Sequence, residues 1–278
     1  MGRVELRRWM LTLSVHLQAG SDRLFDVLCL GGLMLEYRLG FHPYYPERLG
    51  YDWLLRLVNP GLGALLRETK RYSLATTRRR VTLYREAVRI LREGVLGDFV
   101  EIGVHRGGTA AVLAFALRGT GRSLHLFDRW GDLPEPTERD GFRQQQYRRD
   151  AIGEKLRDLA EHPPLRDAKR LVQEVAGYPE ELTFYYEGWY QDTLRAGGPF
   201  RGSRLAFASV DCDYYESVRL ALQFVQRHAS PRATIVVDDY GSWPGAQDAL
   251  LEYVEESRRG ATLTVLKRLG QAVLRLGG

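Results

Sequence analysis

Cysteine is nearly absent from this chain. Two occur in 278 residues, Cys29 and Cys212, far apart and without metal-ligand spacing. That excludes a disulfide framework and a cysteine-built metal site, and it leads us to expect a reducing, cytoplasmic setting. Lysine is scarce too: of 40 basic residues only four are Lys, and the arginines are interspersed with 35 acids. The net charge of +5 is therefore spread out rather than blocked, and no basic-aromatic stretch marks a nucleic-acid surface. A long uncharged run is missing as well. The most apolar segment, "RLFDVLCLGGLMLEYRLGF", is interrupted by Asp26 and Glu36 and falls short of the roughly 18–20 apolar residues a span requires. A buried or self-associating helix over 24–40 is expected there, with no stable membrane insertion and a homo-oligomer as its natural outcome. The first residues lack the apolar core and cleavage site of a signal peptide. No repeats or low-complexity tracts occur.

What is there falls into two parts. Residues 1–70 read as helical pieces broken by "AGSD", "FHPYYPERLGY" and "NPGLG", a helical extension without a chemistry-bearing cluster. Residues 71–278 read as one domain. After the amphipathic "RRRVTLYREAVRILREGV", strands and helices alternate: "DFVEIGV", "GTAAVLAFALRG", "SLHLFDR", "RDAKRLVQEVAG", "LTFYYEG", "RLAFASVD", "YESVRLALQFVQRH", "ATIVVDDY" and "PGAQDALLEYVEESR". "ATLTVLKRL" and "QAVLRLG" close the chain as a hairpin. This order predicts an α/β fold with a largely parallel sheet, in which ligands sit at the C-terminal strand ends. The polar insertion 130–165 and the segment "KRYSLATT" are candidate lids over the site.

"DFVEIGVHRGGT" leaves the first strand through a glycine-containing turn into a helix. Gly103, Gly107 and Gly108 are read as letting backbone approach a ligand, with Arg106 and Thr109 on the same loop. The G-x-G-x-x-G fingerprint of dinucleotide sites is not met. Glu101 at the loop's approach suits a cationic amino group instead. Asp128, at the end of the next strand, suits the two hydroxyls of a ribose. A nucleoside with a positive centre describes S-adenosylmethionine. Gly188 and Trp189 follow a later strand as a wall for its adenine.

Two acid pairs remain, in "SVDCDYYES" and "VVDDYG". Asp211, Asp238 and Asp239 end neighbouring strands, and three carboxylates in one crevice suit Mg²⁺. Asp213 reads instead as the N-cap of the following helix, with Glu216 three residues on completing a capping pattern. His125 reads as a packed strand residue, whereas His105, Tyr72 and Ser73 are candidate acceptor contacts. A D-x-D glycosyltransferase and a non-catalytic scaffold are the rival readings; the first leaves Glu101 and the glycine loop unexplained.

Taken in order, "GDFVEIGVHRGGTA", "LFDRWGDLPEPTERD", "GYPEELTFYYEGWYQDTL", "VDCDYYESV" and "IVVDDYGSWPGAQDA" resemble the motifs of the macrocin O-methyltransferase family from about residue 70 onward. His105 stands where that pattern has Trp. The resemblance implies a class I S-adenosylmethionine-dependent methyltransferase, Rossmann-like, with a mostly parallel seven-stranded sheet and an antiparallel C-terminal hairpin. It also implies Mg²⁺ held by Asp211, Asp238 and Asp239, Asp211 as general base, and a sugar hydroxyl of a small glycoside or saccharide as acceptor.

Overall fold

A computed structural model describes residues 59–131, 133–142, 164–257, 261–266 and 269–278. The expected apolar helix of 24–40 and most of the 130–165 insertion lie outside these residues. The chain divides into two compact units, Met1–Arg67 and Glu68–Gly278. Helix α1, Pro60–Glu68, begins with Pro in its first turn, and the Asn59 side chain accepts from the Leu62 amide at 2.9 Å. Both devices satisfy or remove amides that a helix start leaves without partners.

The second unit is built on seven strands: β1 Asp98–Ile102, β2 Leu124–Asp128, β3 Thr183–Glu187, β4 Leu205–Val210, β5 Ala229–Val237, β6 Ala261–Leu266 and β7 Gln271–Leu276. Their order is β3-β2-β1-β4-β5-β7-β6, with β7 antiparallel to both neighbours and the rest parallel. This is the expected Rossmann-like sheet with its C-terminal hairpin. The sequence dictates it simply. All six residues of β4, "LAFASV", are buried, as a strand covered on both faces requires. The order reverses between β1 and β4, so the crevice of the sheet opens at their C-terminal ends.

Helices α2 Thr77–Arg92, α3 Ala110–Leu117 and α4 Pro164–Arg170 form one packed group. Helices α5 Tyr190–Thr193, α6 Tyr215–His228 and α7 Pro244–Glu256 form the other. Thr76 caps α2 by accepting from the Arg79 amide. The predicted helix after residue 165 turns into a π-helical segment, Leu171–Val175, which packs on α3. Between the layers Phe127 stacks on Tyr186 at 4.2 Å and Phe99 on Phe207 at 5.0 Å. His125 is a packed residue, as expected: it is buried, stacks on Phe184, and its Nδ1 lies 3.0 Å from the Tyr186 hydroxyl.

Candidate active site

The sheet's hydrogen bonding continues past the strand ends and brings the functional residues to one rim. The Gly103 amide donates to Phe127 O (2.9 Å), Asp211 to Ile102 O (2.8 Å), Asp238 to Val210 O (2.8 Å) and Gly188 to Asp128 O (3.0 Å). Gly103 has φ +93°, and a Cβ there would overlap the Asp211 carbonyl. A Cβ on Gly107 would stand 2.5 Å from Ala168 Cα, and one on Gly108 2.5 Å from Ser73 Cβ. The sequence pattern leads one to expect all three glycines to make room for a ligand. What they make room for, at each of these Cβ positions, is the protein's own chain.

A cavity of about 400 Å³ opens at this rim. Tyr72, Ser73, Gly103, His105, Thr109, Asp128, Gly188, Trp189, Asp211, Asp238 and Asp239 line it; Glu101, Arg106, Gly107 and Gly108 do not. Arg106 turns to Asp167 at 2.6 Å and lies over the Tyr72 ring. Asp128 organises the rim itself. Its Oδ2 accepts from the Val104 and His105 amides at 2.7 and 2.8 Å, and its Oδ1 accepts from the Trp130 amide at 2.6 Å. A carboxylate oxygen has two lone pairs, so Oδ1 keeps capacity for one ligand hydroxyl. Glu101 is fully buried beneath the loop, with neither carboxyl oxygen hydrogen-bonded. Burial pushes it up to about 8; the nearby Thr109 hydroxyl opposes this, and the charges of Asp128 and Asp238 add to it.

The acids converge more closely than their spacing in the sequence suggests. Asp211, Asp213 and Asp239 each present an oxygen within 4.8 Å of the others. Asp213 does not cap α6, which corrects the sequence reading. The N-cap is Tyr214, without a side-chain cap, and the Tyr215 amide donates instead to Asp140 Oδ1 at 2.6 Å. Glu216 pairs with Arg219. Asp213 and Asp239 adopt the left-handed region, φ +62° and +59°, as do His105 at +51° and Trp130 at +45°. Asp238 is bound through Oδ2 by Arg79, while its buried Oδ1 has no hydrogen-bond partner. Asp211 touches the cavity yet is enclosed by protein. Burial and then the charges of Asp238, Asp213, Asp239 and Glu101 push its carboxyl well above the usual range. Asp238 is pushed up to about 6 by burial, against the Arg79 charge. The hard carboxylate oxygens of Asp211, Asp213 and Asp239, gathered at one point, are a donor set that fits Mg²⁺, and Asp238 stands outside that closest group with its buried Oδ1 unpaired.

Among the lining residues that the sequence does not single out as site residues are Arg79, Asp140, Trp130 and Tyr190. Trp130 follows Asp128 closely, and its indole Nε1 donates to His105 O at 3.0 Å. Burial, and then the Cys212, Asp128, Asp213 and Asp211 groups, push the Tyr190 phenol well above its ordinary value. Proximity to the "LFD" and "EGWY" motifs is the signal that points to these two.

The sequence profile of the macrocin-O-methyltransferase (TylF) family matches residues 68–270, most of the chain and the whole of this site. The chain belongs to the macrocin O-methyltransferase family. As a macrocin-type O-methyltransferase it is 30% identical, over 75% of its length, to a Streptomyces olivaceus protein, 72% of which is covered. That relative is the 8-demethyl-8-(2,3-dimethoxy-alpha-L-rhamnosyl)-tetracenomycin-C 4'-O-methyltransferase. The fold is that of the O-methyltransferase NovP, with a TM-score of 0.63 at 23% identity over 74% of this chain and 83% of that one. TomG from Streptomyces achromogenes, an O-methyltransferase solved in complex with SAM, shares the fold at a TM-score of 0.52 and 15% identity, over 82% and 96% of the two chains.

Proposed function

We propose that this O-methyltransferase uses S-adenosylmethionine and Mg²⁺ to methylate a sugar hydroxyl of a glycosylated natural product or a bacterial saccharide. The observation that carries the reading is the convergence of Asp211, Asp213 and Asp239 on the rim that also holds Asp238, Asp128 and residues of the Gly103–Thr109 loop. The S. olivaceus relative, named for a 4'-O-methylation beside a rhamnosyl group, supports a sugar acceptor. When bound, the cofactor supplies a methyl group on a cationic sulfonium, and the metal supplies Lewis acidity that lowers the pKa of a hydroxyl.

The chain's own residues do the rest. Asp211, with Asp238 and Asp239, would hold the metal, and Asp213, whose carboxylate oxygen lies within 4.8 Å of those of Asp211 and Asp239, would join them. Asp211, which lines the cavity at the acid cluster, would take the hydroxyl proton on a carboxylate oxygen. Asp128 Oδ1 would take a ribose hydroxyl of the cofactor and Trp189 would flank its adenine, while Glu101, enclosed behind the cavity lining, would act on the cofactor's amino group through its charge and not by contact. The cavity walls hold donor and acceptor in line and exclude water. His105, Tyr72 and Ser73 would face the acceptor side. Self-association is assigned to the 24–40 segment.

Mass-shift screening of acceptor glycosides with S-adenosylmethionine tests the reading. Chelator treatment should abolish turnover and Mg²⁺ restore it; undiminished activity after chelation removes the metal. Asp211→Asn should lower turnover by about 10³-fold or more while cofactor affinity by calorimetry stays largely intact. Binding of a nucleotide sugar without binding of S-adenosylmethionine would favour the D-x-D glycosyltransferase.

A further inference from the structure

The acid cluster has a cation built into it. Arg79 stands in the first turn of α2, with its side chain only 17% exposed. A single nitrogen, Nη1, lies 3.0 Å from Asp238 Oδ2 and 3.0 Å from Asp239 Oδ1. One positive centre bridging two carboxylates through one oxygen each is the arrangement a metal ion makes with the same groups. The second oxygen of each acid stays outside this bridge, and that of Asp238 is the buried, unpaired Oδ1.

The guanidinium is held from behind as well. Its Nε donates to Leu269 O at 2.5 Å, and Nη2 reaches Ser242 Oγ at 3.4 Å. Gly270 adopts φ +64°, and a Cβ there would come within 2.5 Å of Nη2. The turn between β6 and β7 is therefore shaped around this side chain. Asp211 also contributes to the field that keeps Arg79 charged.

We infer that Arg79 is a resident surrogate cation, bridging Asp238 and Asp239 when no divalent ion is bound so that the empty centre stays assembled. This rests on the metal reading above. Like carboxylates left without a cation repel one another and take up protons. Arg79 supplies one charge permanently, and the mobile ion supplies the rest. The two cations draw on the same acids, so by linkage each weakens the hold of the other. Arg79 is thus a positioning residue that stabilises the empty protein and sets a ceiling on metal affinity. A plain structural brace behaves differently: its loss lowers stability equally with and without metal and tightens nothing.

Mg²⁺ calorimetry and thermal melts of the full chain, with and without Mg²⁺, separate the cases. Arg79→Met should melt lower than wild type without metal, recover most of that loss in saturating Mg²⁺, and bind Mg²⁺ about tenfold more tightly. Arg79→Lys keeps the charge but loses the fork, and should fall between the two. An Arg79→Met protein that binds Mg²⁺ no more tightly than wild type, or whose melting loss is the same with and without Mg²⁺, overturns the inference. Should Arg79→Met not fold without metal, Arg79→Lys decides: a smaller tightening supports the surrogate, and unchanged affinity overturns it. A wild-type chain that binds no Mg²⁺ removes the metal reading and this inference together, whereas binding by wild type without tightening in the variants removes this inference alone.

Discussion

Glu101 is the residue whose state depends most on what occupies the site. Its carboxyl is buried with both oxygens unpaired, so the cofactor-free protein retains the proton up to about pH 8, whereas an unfolded chain releases it near 4.5. Between those values the native state binds more protons than the unfolded one, so stability falls as pH rises through that window. The raised carboxyls of Asp211 and Asp238 act in the same direction. Glu101→Gln should therefore flatten, without abolishing, the loss of stability between pH 5 and 8. The change in slope is at most about 1.4 kcal/mol per pH unit, read by urea unfolding of metal-free protein. An unchanged slope would mean that Glu101 is ionised in the native state. This carboxyl was legible in the sequence as an acid beside a glycine loop. The Arg79 bridge was not, because its partners lie 159 and 160 positions away and only the folded sheet brings them together.

Among the elements, the 3₁₀ turn Glu138–Asp140 ties the start of the long insertion to the site. Asp140 accepts from the Thr137 amide and hydroxyl through Oδ2 and from the Tyr215 amide through Oδ1. Arg139 lies 3.7 Å over the Tyr215 ring and pairs with Glu252 on α7. One short turn thus supplies the N-terminal cap of α6, the helix that follows Asp213. Asp140→Ala should cost about 1–2 kcal/mol of stability by denaturant unfolding and raise the acceptor KM more than it lowers kcat. A variant with an unaltered KM would detach this turn from acceptor binding. The same element explains a misreading. "DYYE" carries a local capping signature at Asp213 and Glu216, but an acid 75 positions upstream takes the cap, and Asp213 turns to the acid cluster. Strands and helices were legible because runs buried on both faces alternate with amphipathic ones. The π-helical segment Leu171–Val175 leaves no mark in that periodicity.

For the whole molecule, the described cavity is lined from Tyr72 to Trp243, entirely within the unit Glu68–Gly278. A chain beginning at Asn59 should keep cooperative unfolding and S-adenosylmethionine binding, and light scattering should show loss of self-association. Loss of cofactor binding on this truncation would place part of the site in residues 1–58. Stability and function also compete within this unit. Of the five described non-glycine residues with positive φ, four line the cavity: His105, Trp130, Asp213 and Asp239. Each such conformation costs about 1 kcal/mol or more, held in place by the surrounding packing. A laboratory lineage selected for heat resistance alone would relieve these four positions first, with Gly or Asn, and would grow tougher as it lost its chemistry. Thermostable forms of this enzyme are therefore best sought under a selection that scores turnover at every round.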